Sequence, residues 1–178
     1  MRFVALPVEG AFVIELEPIS DDRGFFARSF SADDFAQRGL TTSFVQSGIA
    51  YNPRCGTLRG MHYQVAPHGE VKLVRCTAGA VYDVIVDLRP ASPTFKRWAS
   101  VELSADNRRT LYVPEGFAHG YVTLTEGAEL LYHMSAPYHA GSARGVRWND
   151  PSFGIAWPVD PAVISDRDAT YADFASTR

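Results

Sequence analysis

The sequence predicts an all-β fold, a small barrel or jelly roll carrying one or two short helices. Short apolar stretches with period-two alternation recur along the chain. Gly or Pro punctuates the gaps between them about every ten residues, as in sandwiches and barrels. Helical signals are few. With 178 residues, 46% of them hydrophobic, the chain suits one domain spanning 1–178 with its own core.

The strands follow in order. Phe12-Val-Ile-Glu-Leu-Glu-Pro18 is apolar, with its two glutamates on one side. Leu58–Gln64 and Glu70–Cys76 read as strands despite several polar residues. Val81–Leu88 places Tyr82, Val84, Val86 and Leu88 on one face and Asp83, Ile85 and Asp87 on the other. Val101–Leu103, Thr110–Val113 and Tyr121–Leu124 alternate likewise. Thr125-Glu-Gly127 reads as a hairpin turn into Ala128–His133. One helix is expected after Ser31, an N-cap with Asp34 three residues on, Phe35 as apolar anchor and Gly39 at C′. A second, weaker helical signal covers Asp166–Phe174.

The composition narrows the function class. Net charge is −3, with both signs mixed along the chain, so no basic groove for nucleic acid is expected. MRFVALPVEG has no long apolar core of a secretory signal, and no run approaches the ~20 apolar residues of a membrane span. Cys55 and Cys76 read as free thiols in a reducing compartment, the cytoplasm. Phe3, Val4, Leu6 and Val8 are more apolar than a free arm would keep exposed, which predicts a homodimer in which this segment pairs with a neighbour's sheet and covers an edge.

Two stretches carry chemistry. In Leu58-Arg-Gly-Met-His-Tyr-Gln64, an extended backbone points His62 and Gln64 to one face. Lys72 sits among apolar neighbours. His62 reads equally as a satisfied structural histidine, and Lys72 as a surface lysine laying its stem on apolar neighbours. Val113-Pro-Glu-Gly-Phe-Ala-His-Gly120 has the P-x-G-x-x-H spacing of cupins, whose histidine points into the barrel. Metal-binding cupins carry an earlier H-x-H. Here that place reads His62-Tyr-Gln64, and His62 with His119 leaves a transition metal short of a third ligand. No metal is expected.

Six strings then stand in a familiar order: Asp-Arg-Gly-Phe-Phe (22–26), Leu-Arg-Gly-Met-His-Tyr-Gln (58–64), Lys-Leu-Val-Arg-Cys (72–76), Ser-Pro-Thr-Phe (92–95), Pro-Glu-Gly-Phe-Ala-His-Gly (114–120) and Leu-Tyr (131–132). Over roughly residues 3 to 170 the chain resembles the dTDP-4-dehydrorhamnose 3,5-epimerase family of the cupin superfamily. The resemblance implies a cupin-type barrel and an isomerase acting on a nucleotide-diphosphate sugar. The implied reaction inverts C3, C5 or both of a 4-keto-6-deoxyhexose and uses no cofactor. It makes His62 the base, Asp168 its carboxylate partner, Tyr132 the acid on the opposite face of the sugar, and Lys72 the cation at the keto oxygen. Arg23, Gln46, Arg59, His119 and Arg167 match positions contacting nucleotide or sugar. Tyr138 matches an aromatic near the pocket mouth, a positioning residue or an alternative acid. Family members are dimers that exchange an N-terminal segment, so Arg23 is expected to serve the neighbouring subunit.

These residue types suit the reaction. A ketone at C4 makes the C3 and C5 hydrogens acidic; removing one gives an enolate, and reprotonation from the other face inverts the carbon. A histidine, ordinarily with a pKa of ~6.5, takes a proton near neutrality. A carboxylate on its other nitrogen fixes the tautomer. A tyrosine, with a pKa of ~10, still delivers a proton to a strongly basic carbon. Lys72 would stabilise the oxyanion in a dry barrel, with Asp83 balancing it from the adjacent strand. The remaining tyrosines, Tyr63, Tyr82, Tyr112 and Tyr121, read as core or wall.

The chain departs from the family pattern at Arg28, where a Glu is usual, at Ser47-Gly48 in place of Asp-Asn, at His133 in place of Lys, and at Ala143 in place of Glu. Arg28 is still placed among the substrate contacts. These changes predict a shifted nucleotide or sugar preference with proton abstraction intact. Two competing classes remain: a metal-dependent cupin such as a dioxygenase, and a sugar-nucleotide-binding cupin without turnover.

Overall fold

A strand with one apolar side can bury that side only against a second layer, so a chain of alternating stretches folds as facing sheets. The computed structural model describes residues 1–174 and has this form. Its strands are β1 (Arg2–Ala5), β2 (Phe12–Glu15), β3 (Ile19–Asp21), β4 (Gly24–Phe26), β5 (Gln46–Asn52), β6 (Leu58–Gln64), β7 (Lys72–Ala78), β8 (Ala80–Asp87), β9 (Trp98–Ser104), β10 (Thr110–Val113), β11 (Phe117–Thr123), β12 (Ala128–Met134) and β13 (Ala143–Gly145). The helices are α1 (Ala32–Ala36) and α2 (Asp166–Ala169). A six-stranded sheet runs β1-β2-β10-β7-β12-β5 and a five-stranded sheet β13-β6-β11-β8-β9, with β3 and β4 as a separate pair. The all-β, cupin-type barrel is what the sequence predicts.

The central core lies between the sheets, where Val74, Leu111 and Leu130 meet Ile85, Leu103 and Tyr121. Outside the five-stranded sheet, Met61, Val84, Val86 and Ala118 pack with Val146 and Phe153. Strand β8 is therefore buried on both faces, which is why its valines and its carboxylates are equally enclosed. Outside the six-stranded sheet, Ile14, Leu73 and Tyr112 pack on Phe35 of α1. That helix is capped as expected. Ser31 accepts from the Asp34 N–H. Gly39 sits at φ +68°, with Gly39 N–H donating to Ala36 O and Leu40 N–H to Phe35 O, the paired bonds of a Schellman end.

Two expectations need correction. Thr125–Gly127 is not a hairpin turn: β11 and β12 lie in different sheets, so the turn crosses between layers. Both flanking strands need their apolar sides inward, and alternation alone does not say in which sheet. Helix α2 is a single turn and does not reach Phe174. Of the N-terminal apolar residues, Phe3 packs against Phe12 and Phe35 and Val8 is buried, while Val4 on the edge strand β1 stays exposed. Further apolar surface is open on Ile19, Phe25 and Phe26 of the β3–β4 hairpin, on Val45 just before the outer strand β5, and on Ile49 and Tyr51 within it. Among the described residues, no helix is long and apolar enough to cross a membrane.

Candidate active site

A cavity of about 340 Å³ opens between the sheets. Strands β6 and β11 bring Arg59, His62, His119 and Tyr121 to it, and the opposite sheet brings Gly48, Lys72 and Tyr132. Tyr138 and Arg167 stand at its margin, both exposed.

His62 alternates into the cavity from β6, and its Nε2 lies 2.7 Å from Asp168 Oδ1. Asp168 is buried although it sits on a one-turn helix. Ser165 caps that turn on the Asp168 N–H at 3.1 Å, and the other carboxylate oxygen accepts the Gly60 N–H at 3.1 Å. Burial works to raise the Asp168 carboxyl, but the His62 and Gly60 hydrogen bonds outweigh it and hold it below the usual range. Gly60 is required here: its φ is +135°, and a Cβ would stand 2.5 Å from Gly120 Cα. That contact lies beside the irregularity in β6–β11 pairing between His119 and Tyr121.

Tyr132 faces the cavity from β12. Burial pushes its phenol well above the ordinary value, Tyr121 and Asp83 push the same way, and Arg59 opposes them. It therefore holds its proton at neutral pH. Lys72 is buried, with Nζ 3.2 Å from Glu70 Oε1 and 3.5 Å from the His62 carbonyl oxygen. It is not a surface lysine, and its nearest carboxylate is Glu70. Asp83 is on β8 in the opposite sheet, not on an adjacent strand, and its hydrogen bond goes to His119 Nε2 at 2.8 Å. Burial raises the Asp83 carboxyl, with His119 and then Lys72 acting against it.

Arg59, Arg144 and Arg167 are the exposed cations at the cavity. Arg59 is fixed by Asn52, whose Oδ1 accepts from its Nε at 2.9 Å. Gln46 begins β5 and accepts the Tyr138 N–H at 3.2 Å, so it supports the mouth. Buried Gln64 ties the same loop from within, donating to His68 O and Pro137 O and accepting from the His139 N–H. Arg23 and Arg28 are not brought to this cavity: Arg23 pairs with Asp21 on the exposed hairpin, and Arg28 is exposed. Sequence reasoning missed Asn52, Glu70 and Tyr171, whose ring lies against Gly145 and 6.0 Å from the His62 ring. Asn52 shares the inward face of β5 with Gly48 and Ala50, which was the signal available. Among the described residues, no three His, Cys, Asp or Glu side chains gather as a metal ion would need.

The departures from the family pattern fall into two sets. Ser47 and His133 face each other in the β5–β12 register and are bonded, Oγ to Nδ1, at 3.2 Å, so two of the changes satisfy one another. Gly48 and Ala143 line the cavity, where short side chains leave room.

The family model described as dTDP-4-dehydrorhamnose 3,5-epimerase matches residues 5–176. The dTDP-4-dehydrorhamnose 3,5-epimerase of Shigella flexneri is 41% identical over 94% of this chain and 93% of that protein. The crystal structure of the enzyme of that name from Elizabethkingia anophelis NUHP1 superposes with a TM-score of 0.95 at 38% identity, covering 98% of this chain and 96% of that one. The Bacillus anthracis str. Ames structure, with TDP and PPi bound, has a TM-score of 0.92 at 42% identity, covering 97% and 99%.

Proposed function

The chain belongs to the dTDP-4-dehydrorhamnose 3,5-epimerase family, and on that premise we propose how its residues do the work. It is an isomerase, an epimerase of a nucleotide-linked 4-keto-6-deoxyhexose. One observation carries the assignment of roles. A histidine–carboxylate pair and a proton-bearing tyrosine enter the same cavity from opposite sheets.

His62 removes the proton at C3 or C5 through the nitrogen not held by Asp168. Asp168 keeps the imidazole in the accepting tautomer and stabilises the imidazolium that forms. The charge that develops on the C4 oxygen is met by the Lys72 ammonium in a partly dry cavity, where such a contact is worth more than in water. Tyr132 returns a proton to the opposite face. Arg59 and Arg167 take the diphosphate, with Tyr138 over the mouth. His119, held by Asp83, is a wall donor. The scheme uses no redox cofactor, nucleophile or metal.

The test is deuterium exchange into a 4-ketosugar nucleotide, followed by NMR at C3 and C5. His62→Ala should abolish exchange and inversion together, because no enolate forms. Tyr132→Phe should leave exchange running with retention while inversion falls, since acid and base contributions are each ~10²–10⁴-fold. Near-normal exchange in His62→Ala would remove the base from this scheme.

The chain is further read as a homodimer in the cytoplasm. The exposed Ile19, Phe25 and Phe26 and the open edge β5 support the first, and the free thiols of Cys55 and Cys76 suit the second. The hairpin that carries Arg23 is the segment whose exchange would bring that residue to a partner's cavity. A monomer by sedimentation at micromolar concentration would count against the dimer.

A further inference from the structure

The imidazole of His62 has one hydrogen-bonded hold, and it acts at one atom: Nε2, 2.7 Å from Asp168 Oδ1. A single bond pins a point and leaves the ring free to swing about it, because the second torsion of a histidine is broad. The side chain is also 40% exposed, so the core does not clamp it. The strand beside β6 offers no side chain either, since the residue opposite His62 in the β13 register is Gly145.

The space over Gly145 is filled from farther along the chain. The Tyr171 ring lies there so closely that a Cβ on Gly145 would stand 2.2 Å from its Cε2 and Cζ. The same ring meets the His62 ring edge to face, with centroids 6.0 Å apart and planes at 74°. Edge-to-face pairs at this separation are attractive and directional. Tyr171 follows Asp168 by three residues, so one short segment delivers both the carboxylate and the ring. The turn between them is closed: the Thr170 N–H and hydroxyl both donate to Asp166 O, at 3.1 and 2.7 Å. Beyond the ring, Asp173 pairs with Arg147 at 2.6 Å, and Phe174 packs on Phe95 and Phe153. Tyr171 is thus held from both sides along the chain. Its hydroxyl is buried without a hydrogen-bond partner among the described residues, so what this position uses is the ring.

We propose that Tyr171 is a positioning residue for His62: its ring, seated in the socket left by Gly145, holds the imidazole in the orientation in which it takes the substrate proton. This rests on the reading of His62 as the base. Asp168 decides which nitrogen accepts, and Tyr171 decides where that nitrogen points. No proton or electron passes through Tyr171. Gly145 belongs to the same device, because a side chain there would displace the ring.

The experiment is exchange at C3 and C5 of dTDP-4-keto-6-deoxyglucose in deuterated buffer, with substrate saturating and dTDP affinity measured by calorimetry. Tyr171→Ala should lower exchange and inversion together, ~10- to 100-fold, the cost of a misplaced reacting group. Affinity for dTDP should change far less. The Arg167 guanidinium does stand over the same ring, but at 5.7 Å and exposed, where it gains little. Tyr171→Phe should restore exchange, since it gives up only the unpartnered hydroxyl. Gly145→Ala should copy Tyr171→Ala: the backbone there is not left-handed, and the three atoms nearest the new methyl would all be those of the Tyr171 ring. The double variant should lose no more than either single one, as both changes remove one contact. Four results would overturn the proposal: unchanged exchange in Tyr171→Ala, a loss matched by the loss of dTDP affinity, Tyr171→Phe falling as far as Tyr171→Ala, or additive losses in the double variant. Should Tyr171→Ala misfold, Gly145→Ala decides alone, with lost exchange at kept dTDP affinity in favour and unchanged exchange against. Failure of the underlying reading looks different: His62→Ala would itself keep its exchange.

Discussion

Replacing Asp168 with Asn tests the base more sharply than removing the histidine, because shape is kept and only charge and proton positions change. The carboxylate accepts on both oxygens, from His62 at 2.7 Å and from the Gly60 N–H at 3.1 Å. An amide cannot do both. Its oxygen must stay toward Gly60, since its NH₂ would otherwise face another N–H. The NH₂ then points at His62 Nε2 and obliges that nitrogen to accept. The imidazole proton moves to Nδ1, and the nitrogen facing the cavity loses its lone pair. Two costs combine. The charged hydrogen bond to the imidazolium, ~1.5–3 kcal/mol, is gone, which alone slows proton removal ~10- to 150-fold. The wrong tautomer must also be reversed before each turnover. The expected fall is ~10²–10⁴-fold, the usual worth of a general base. It should appear equally in exchange and inversion, because both wait on the same enolate. The Ser165 cap on the residue-168 N–H survives, so the melting temperature checks that the fold is intact. Exchange within about threefold of the unmodified protein, measured by NMR with substrate saturating, would refute the dyad.

Two further outcomes follow from the same geometry. Lys72→Met removes the ammonium while keeping the stem, so exchange should fall ~10²–10³-fold with dTDP affinity nearly unchanged by calorimetry, the pattern of a group that acts on the transition state. Asp87 is fully buried; burial pushes its carboxyl up, but Arg89, Ser92 and Thr94 bring it down to about 2. A depressed carboxylate stabilises the fold above its unfolded pKa and loses that contribution as pH falls through the folded one. Asp87→Asn should therefore cost about 2 kcal/mol at pH ~7 by urea titration, with the gap closing between pH ~4 and ~2.

The sequence was a good guide wherever one residue's neighbours settle its state. Ser31, Asp34, Phe35 and Gly39 specify α1 and its end through contacts within a few residues. It failed where the decision lay between distant strands. The turn at 125–127 has the composition of a hairpin, but only the demand of two facing sheets sends β12 to the other layer. Lys72 shows the same limit: its burial depends on Glu70 and on a strand it does not neighbour in sequence. For the candidate site, the motifs named His62, Asp168, Tyr132 and Lys72, and these do share one cavity or its wall. Asp83 does act on Lys72, but across the sheets rather than from an adjacent strand, and its hydrogen-bonded partner His119 was not named, since nothing in the sequence says that β7 and β8 part into different sheets. Asn52 lies in no motif, and its work is visible only once Arg59 and Tyr121 meet it.

The partner of His62 comes from far along the chain. Thr57 bridges to Val163, the Gly56 carbonyl accepts from the Ala162 and Val163 N–H, the Leu58 N–H donates to Val163 O, and the Gly60 N–H reaches Asp168, so residues 162–168 are laced onto the front of β6. The container and its tool are therefore held by separate contacts: strands β5 to β12 bring the lysine and the tyrosine to the pocket, while the carboxylate that aims the histidine arrives on a segment tied down by a few backbone bonds to Gly56 and Leu58. Loosening those bonds would leave the pocket standing with its histidine unaimed.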